Sequence, residues 1–187
     1  MTFHSAILIF FLSSKTPVFR KKTTFASKMN RPPIIPTIIG TGFGAGFCPF
    51  APGTAGAVLA TLLWWGGHVW LTDEQNFFVT LALVIIFTLL GTWATQKLMP
   101  FWGEDPSRVV VDEMVGVWIP LLFADHLWTA VAALILFRFF DIVKPFGIRA
   151  LDNRKGAFWV MADDILAGIY SAILLIIIIH IVEAWGR

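Results

Sequence analysis

FFVTLALVIIFTLLGTWATQKL, residues 77 to 98, carries one charged residue, Lys97, and ILAGIYSAILLIIIIHIVEAW, residues 165 to 185, also carries one, Glu183. As an α-helix rising about 1.5 Å per residue, each run is long enough to cross the ~30 Å hydrocarbon layer of a bilayer. A soluble fold would have to hide both runs in one small core. The composition argues against that, because 57% of the 187 residues are hydrophobic and only 14% are charged, with 18 Phe and 9 Trp. Lipid is therefore the solvent for much of the chain. Backbone groups in hydrocarbon must be paired within their own segment, which requires helices.

Working outward from these two runs, further apolar segments cover residues 57–71, 109–123 and 127–143, the last limited by Pro145. Ahead of them Gly40 to Gly56 reads GTGFGAGFCPFAPGTAG, whose glycines and prolines predict a shaped loop. The predicted fold class is thus all-α, a multi-helix integral membrane bundle with a Gly/Pro-rich loop near the N-terminus. The turns at 72–76 and 124–126 hold no Lys or Arg, whereas the opposite loops hold Arg31, Arg108, Lys144, Arg149, Arg154 and Lys155, with Lys97 on the same side. Basic loops stay in the cytoplasm, so that end of the bundle is predicted to be cytoplasmic. Five crossings put the C-terminus outside; a re-entrant 57–71 segment changes the count. Residues 1–28 are basic and free of acids, and read as a flexible leader, either a targeting segment or an over-extended start before Met29. Residues 29–187 form a single membrane domain.

This topology gathers the unusual polar residues at the cytoplasmic face. Asp112 and Glu113 interrupt an apolar stretch, Arg138 and Asp141 share a face of an aromatic helix three residues apart, and Asp163 with Asp164 opens the last span. Charges at such depth are costly and mark ion pairs, wet cavities or ion sites. Adjacent carboxylates repel one another unless a cation lies close. Two such pairs at one face predict a hard divalent cation, and all-oxygen ligation with a phosphate substrate favours magnesium. Arg138, Lys144 and Arg149 are then the phosphate-binding candidates.

Four blocks resemble the phosphatidylglycerophosphatase A family: GTGFGAG through Pro52-Gly53-Thr54, VDEMVG at 111–116, FRFFDIVKP at 137–145, and Met161-Ala162-Asp163-Asp164 through Ala167-Gly168. They occur in the family's order and cover essentially everything from Gly40 onward. The resemblance implies magnesium-dependent hydrolysis of phosphatidylglycerophosphate to phosphatidylglycerol and phosphate, at the cytoplasmic face of a bacterial inner membrane. It carries site residues onto Asp112, Glu113, Arg138, Asp141, Lys144, Asp163 and Asp164. In the reading these residues support, Asp141, Asp163 and Asp164 hold magnesium, and Glu113 or Asp112 positions the attacking water. Arg138, Lys144 and Arg149 bind phosphate, and Thr41 and Thr54 line a glycine loop whose amides face phosphate or headgroup. The partners expected are a phospholipid substrate and the membrane, with no nucleic acid.

Two other functions use similar parts. A phosphatidyltransferase also clusters aspartates and magnesium, but its Asp-Gly followed shortly by Ala-Arg is absent, since Asp164 precedes Ile-Leu-Ala-Gly. A small carrier would place its carboxylates near mid-bilayer and repeat its sequence internally, and neither pattern occurs. Cys48 has no arginine in the residues that follow it to Ala55, which excludes a thiol-phosphatase loop, and the scattered His68, His126 and His180 fall towards the opposite side.

Overall fold

The computed structural model describes residues 31–104 and 106–186. The leader at 1–28, His4, Met29, Asp105 and Arg187 lie outside the described residues, which contain helices and no strand. The helices are α1 Ile34–Gly40, α2 Pro52–Trp70, α3 Asp73–Trp102, α4 Val111–Leu121, α5 Leu127–Val143, α6 Ile148–Asp152 and α7 Ala157–Trp185.

Local chemistry sets their ends. Pro52 starts α2, where a missing N–H has no intrahelical partner to lose. Thr72 and Gln75 form a reciprocal capping box at the start of α3, with Asp73 and Glu74 in its first turn against the positive end of the helix dipole. Thr129 Oγ1 accepts from the backbone N–H groups of Asp125 and His126 at 3.1 and 2.9 Å and so closes the entry to α5. Left-handed Lys144, at φ 49°, ends α5.

The long helices alternate in direction. The first turns of α2, α4 and α7 and the last turns of α3 and α5 therefore share one end of the bundle, while His68, Asp125, His126 and His180 lie towards the other. Helix α4 runs through the centre, buried at Val111, Asp112, Met114 to Trp118, Pro120 and Leu121. It packs against α2, α3, α5 and α7. Trp118 anchors it, donating its indole N–H to Ala60 O at 3.1 Å and meeting Phe87 edge to face. The outside is apolar: α3 exposes Ile85, Ile86 and Leu89, and α7 exposes Ile169, Ile173, Ile177 and Ile181. Helices α3 and α7 are both long and apolar enough to cross a membrane, with mean hydropathies of 2.3 and 2.8, and most of each apolar window faces outward. Outward apolar faces of that size suit lipid rather than water.

The structure differs from the sequence reading in its boundaries. Pro52 to Gly56, expected in the glycine loop, forms the first turn of α2. Helix α3 runs past Leu98 through Pro100 to Trp102, because a proline in a last turn disrupts little that follows. Helix α4 has 11 residues instead of the expected apolar stretch 109–123, about 16 Å at 1.5 Å per residue, too short to cross a bilayer alone. Helices α1 and α6, seven and five residues long, are too short to give a readable periodicity.

Candidate active site

Asp112 and Glu113 occupy the first turn of α4, where the amides of a helix N-terminus favour negative charge. Asp164 enters the same space from α7. One carboxylate oxygen from each of Asp112, Glu113 and Asp164 lies within 4.8 Å of the other two, close enough for a single cation to touch all three. The carboxylates of Asp141 and Asp163 flank Asp164. Among the described residues, Arg138 and Lys144 are the cations paired with acids of this cluster.

The two cations are held differently. Arg138 Nη1 lies 2.6 Å from Asp141 Oδ2, one helical turn away. Arg138 Nη1 and Nε are nonetheless buried with no acceptor in hydrogen-bonding geometry, so this contact is an ion pair that leaves directed donors free. Lys144 Nζ bridges two acids, Asp163 Oδ2 at 2.8 Å and Asp152 Oδ1 at 2.5 Å. Burial works against its charge, but the hydrogen bonds that Lys144 donates to Asp152 and Asp163 outweigh it and raise the Lys144 pKa above the ordinary lysine value. The two carboxylates thus favour the charged form of Lys144.

Helix α2 reaches the same point with its first turn. A Cβ at Gly53 would collide with Glu113 Oε1 and stand 3.2 Å from Arg138 Nη1, so glycine is what lets the backbone lie against this acid–base pair. Glu113 Oε2 is buried and has no hydrogen-bond partner. Thr95 Oγ1 on α3 is likewise buried and unpartnered.

The expected metal ligands were Asp141, Asp163 and Asp164. The structure gives Asp163 to Lys144 and Asp141 to Arg138, and groups Asp164 with Asp112 and Glu113. Arg149 is exposed, and its Nη2 donates at 3.4 Å to Val143 O at the end of α5. Thr41 uses its hydroxyl inside its own turn, donating to Thr37 O at 2.7 Å and accepting from the Gly44 N–H at 3.1 Å. Thr54 is half-buried one residue past Gly53. Glu104 pairs with Lys155 at 2.8 Å, and Arg154 stacks on Trp159, so these act as surface residues of the loops. Sequence reasoning missed Asp152 and Gly53; Gly53 stands inside the Pro-Gly-Thr block, whereas nothing in the sequence singles out Asp152.

Residues 38–179 match the family model described as phosphatidylglycerophosphatase A. The chain belongs to the phosphatidylglycerophosphatase A family. It is 37% identical over 152 residues to "Phosphatidylglycerophosphatase A" of Haemophilus influenzae, covering 79% of this chain and 88% of that protein. The Escherichia coli protein of the same name is 32% identical over 148 residues, 76% of this chain and 83% of that one. A Bacteroides thetaiotaomicron protein named "Putative phosphatidylinositol-3-phosphatase" is 56% identical over 151 residues, 79% of this chain and 95% of that one. No solved structure matches the chain. As a phosphatidylglycerophosphatase A family member the protein is a lipid phosphatase, and it is membrane-associated.

Cys48, four residues before the start of α2 at Pro52, has its thiol pKa lowered by hydrogen bonds from the backbone at Ala51 and Phe50. Activation of that kind does not make a phosphatase nucleophile without a cationic cradle, and the half-buried cations Arg138 and Lys144 stand with the carboxylates near the start of α4 and α7. Cys48→Ser is therefore expected to retain wild-type turnover of lipid phosphate within about twofold, because among the described residues no cation is paired with the thiol to bind a phosphate for it to attack. A well-folded Cys48→Ser protein without activity would instead establish a covalent thiol mechanism.

Proposed function

We propose that the chain hydrolyses the terminal phosphate monoester of phosphatidylglycerophosphate, giving phosphatidylglycerol and inorganic phosphate, in a magnesium-dependent reaction at the cytoplasmic face of a bacterial inner membrane. The observation that carries this reading is the meeting of the Asp112, Glu113 and Asp164 oxygens beside Arg138 and Lys144, in a chain whose relatives are named for this reaction. Lys97, Arg108, Lys144, Arg149, Arg154 and Lys155 all belong to the end that bears the cluster, which supports a cytoplasmic site.

The donor set fits magnesium. Its three carboxylates are hard oxygen donors, and the partnerless Glu113 Oε2 leaves an acceptor without a role in the protein's own hydrogen bonding. Asp112, Glu113 and Asp164 are the residues that would hold the ion, which when bound neutralises phosphoryl oxygens and acidifies water. Arg138 directs its free N–H donors at the phosphate. Lys144 adds a positive charge. Asp141 keeps the guanidinium aimed from α5. Glu113 or Asp112 positions the attacking water, whose proton passes by way of these carboxylates to the leaving alcohol oxygen as the phosphate ester bond breaks. The first turn of α2, with Gly53 and Thr54, brings backbone amides to the same place.

A second reading follows from the 56% identical relative, whose name points to phosphatidylinositol 3-phosphate. Both lipids present a phosphate monoester on a polyol that is joined through a phosphodiester to diacylglycerol. The deciding measurement is phosphate release by the purified protein in detergent, with and without magnesium. The substrates are phosphatidylglycerophosphate, phosphatidylinositol 3-phosphate, phosphatidate and soluble phosphomonoesters. Magnesium-dependent release that is fastest from phosphatidylglycerophosphate is expected. Faster release from phosphatidylinositol 3-phosphate moves the substrate to the second reading, and release from soluble esters alone ends the lipid assignment.

A further inference from the structure

The ammonium of Lys144 has two carboxylate partners in unlike settings. Asp163 lies on α7 beside Asp164, and its side chain is 8% exposed; Asp152 ends the five-residue helix α6, and its side chain is 32% exposed. The chain goes to some length to bring Asp152 back. Lys144, Phe146 and Gly147 all adopt left-handed backbone, at φ 49°, 47° and 92°, so the segment folds sharply at the end of α5. Tyr170 Oη then fastens the fold by donating to Phe146 O at 2.9 Å. Non-glycine residues in that region cost conformational energy and persist only where the surroundings enforce them.

Neutralising Lys144 does not require this arrangement. Asp163 already supplies a buried counter-charge, and the surrounding site is rich in carboxylates. What Asp152 adds is a carboxylate oxygen on the more exposed side of the ammonium, at hydrogen-bonding distance. That is the same chemical contact a phosphoryl oxygen makes with lysine.

We infer that Asp152 is an internal competitor for phosphate, its Oδ1 holding the place on Lys144 that an oxygen of the substrate's phosphate takes. The inference rests on the phosphatase reading given above and deepens it. Entering substrate exchanges Asp152 for a phosphate oxygen while Asp163 keeps its hold on the lysine. After hydrolysis Asp152 returns to Lys144 and helps to displace inorganic phosphate. Asp152 acts through Lys144 and is a positioning residue, with no contact to the reacting atoms.

The experiment compares wild type, Asp152→Asn and Asp152→Glu in detergent. It measures KM for the lipid monoester, the inhibition constant of inorganic phosphate, and the shift in Tm that inorganic phosphate produces. Asp152→Asn is expected to lower both constants at least about threefold and to enlarge the Tm shift, with Asp152→Glu returning all three towards wild type. In a Lys144→Met background the Asp152→Asn change is expected to have no effect on the phosphate inhibition constant. Raised constants in Asp152→Asn would mean that the carboxylate aids binding, and unchanged ones that it is a bystander; either overturns the inference. A decrease that persists without Lys144 also overturns it, because the charge would then act through the general field. Wild-type turnover of the lipid is the separate control, since its absence sinks the phosphatase reading itself.

Discussion

Asp164→Asn is expected to lose phosphate release by at least about a hundredfold while the protein accumulates and unfolds as wild type does, or is slightly more stable. Second-shell changes at metal sites already cost 10- to 100-fold in affinity or activity, so removal of a direct ligand sets that as a floor. Asp164 stands with Asp112 and Glu113 and is flanked by Asp141 and Asp163, while the nearby cations Arg138 and Lys144 are paired with Asp141 and Asp163 rather than with Asp164 itself. Removing one such charge relieves repulsion in the metal-free protein. The neighbouring Asp163→Asn behaves differently. It breaks a buried pair with Lys144, a change that typically costs about 3 to 5 kcal/mol, although Asp152 remains on the lysine and offsets part of the loss. The expected pattern is an inactive but stable Asp164→Asn beside a less stable Asp163→Asn with residual turnover. Activity per folded molecule across a magnesium titration, with Tm for each variant, reads it. Near wild-type turnover and an unchanged magnesium midpoint in Asp164→Asn would remove this residue from the active site.

That contrast was not available to the sequence, in which Asp163 and Asp164 are adjacent and alike. Periodicity could place Arg138 with Asp141, because residues three apart share a helix face, and the structure pairs them at 2.6 Å. It could not place Lys144 with Asp163, 19 residues away on another helix, since such contacts depend on how helices cross. The long helices were legible because hydrocarbon-length apolar runs leave little choice of structure, and α3 and α7 contain them in full. The centre of the fold was less so. Residues 109–123 read as one more apolar segment, yet only Val111–Leu121 is helical, and its burial on nearly all sides comes from neighbours rather than from its own pattern. The glycine loop was legible as irregular but not in its division, since Pro52 both interrupts a loop and starts a helix well. Gly168 could be read as a point of close approach, but its partner could not.

That partner is Gly116, and Gly116→Ala is expected to destabilise the protein and to remove activity together. A Cβ at Gly116 would collide with the ring of Phe137 on α5, meeting Cζ at 2.7 Å, and would stand 2.9 Å from the backbone oxygen of Asp164 on α7. In return, a Cβ at Gly168 would run into Gly116 O and lie 3.1 Å from Ile119. The two helices therefore touch backbone to backbone, the arrangement that small residues allow in membrane bundles. Alanine gains up to ~1 kcal/mol of helix propensity over glycine. Overpacking a filled core costs about 1 to 3 kcal/mol and occasionally more. The larger figure applies here, because Phe137 is fully buried and a backbone carbonyl cannot rotate away. Loss of function follows from geometry: Asp112 and Glu113 lie one turn before Gly116, so parting α4 from α7 draws their carboxylates away from Asp164. Gly66 on α2 supplies the control, since its Cβ would meet nothing within 4 Å, and Gly66→Ala is expected to be neutral or stabilising by up to ~1 kcal/mol. Thermal unfolding and lipid turnover measured on both variants decide the matter. A Gly116→Ala protein as stable and active as Gly66→Ala would mean that the α4–α7 contact does not set the spacing of the site.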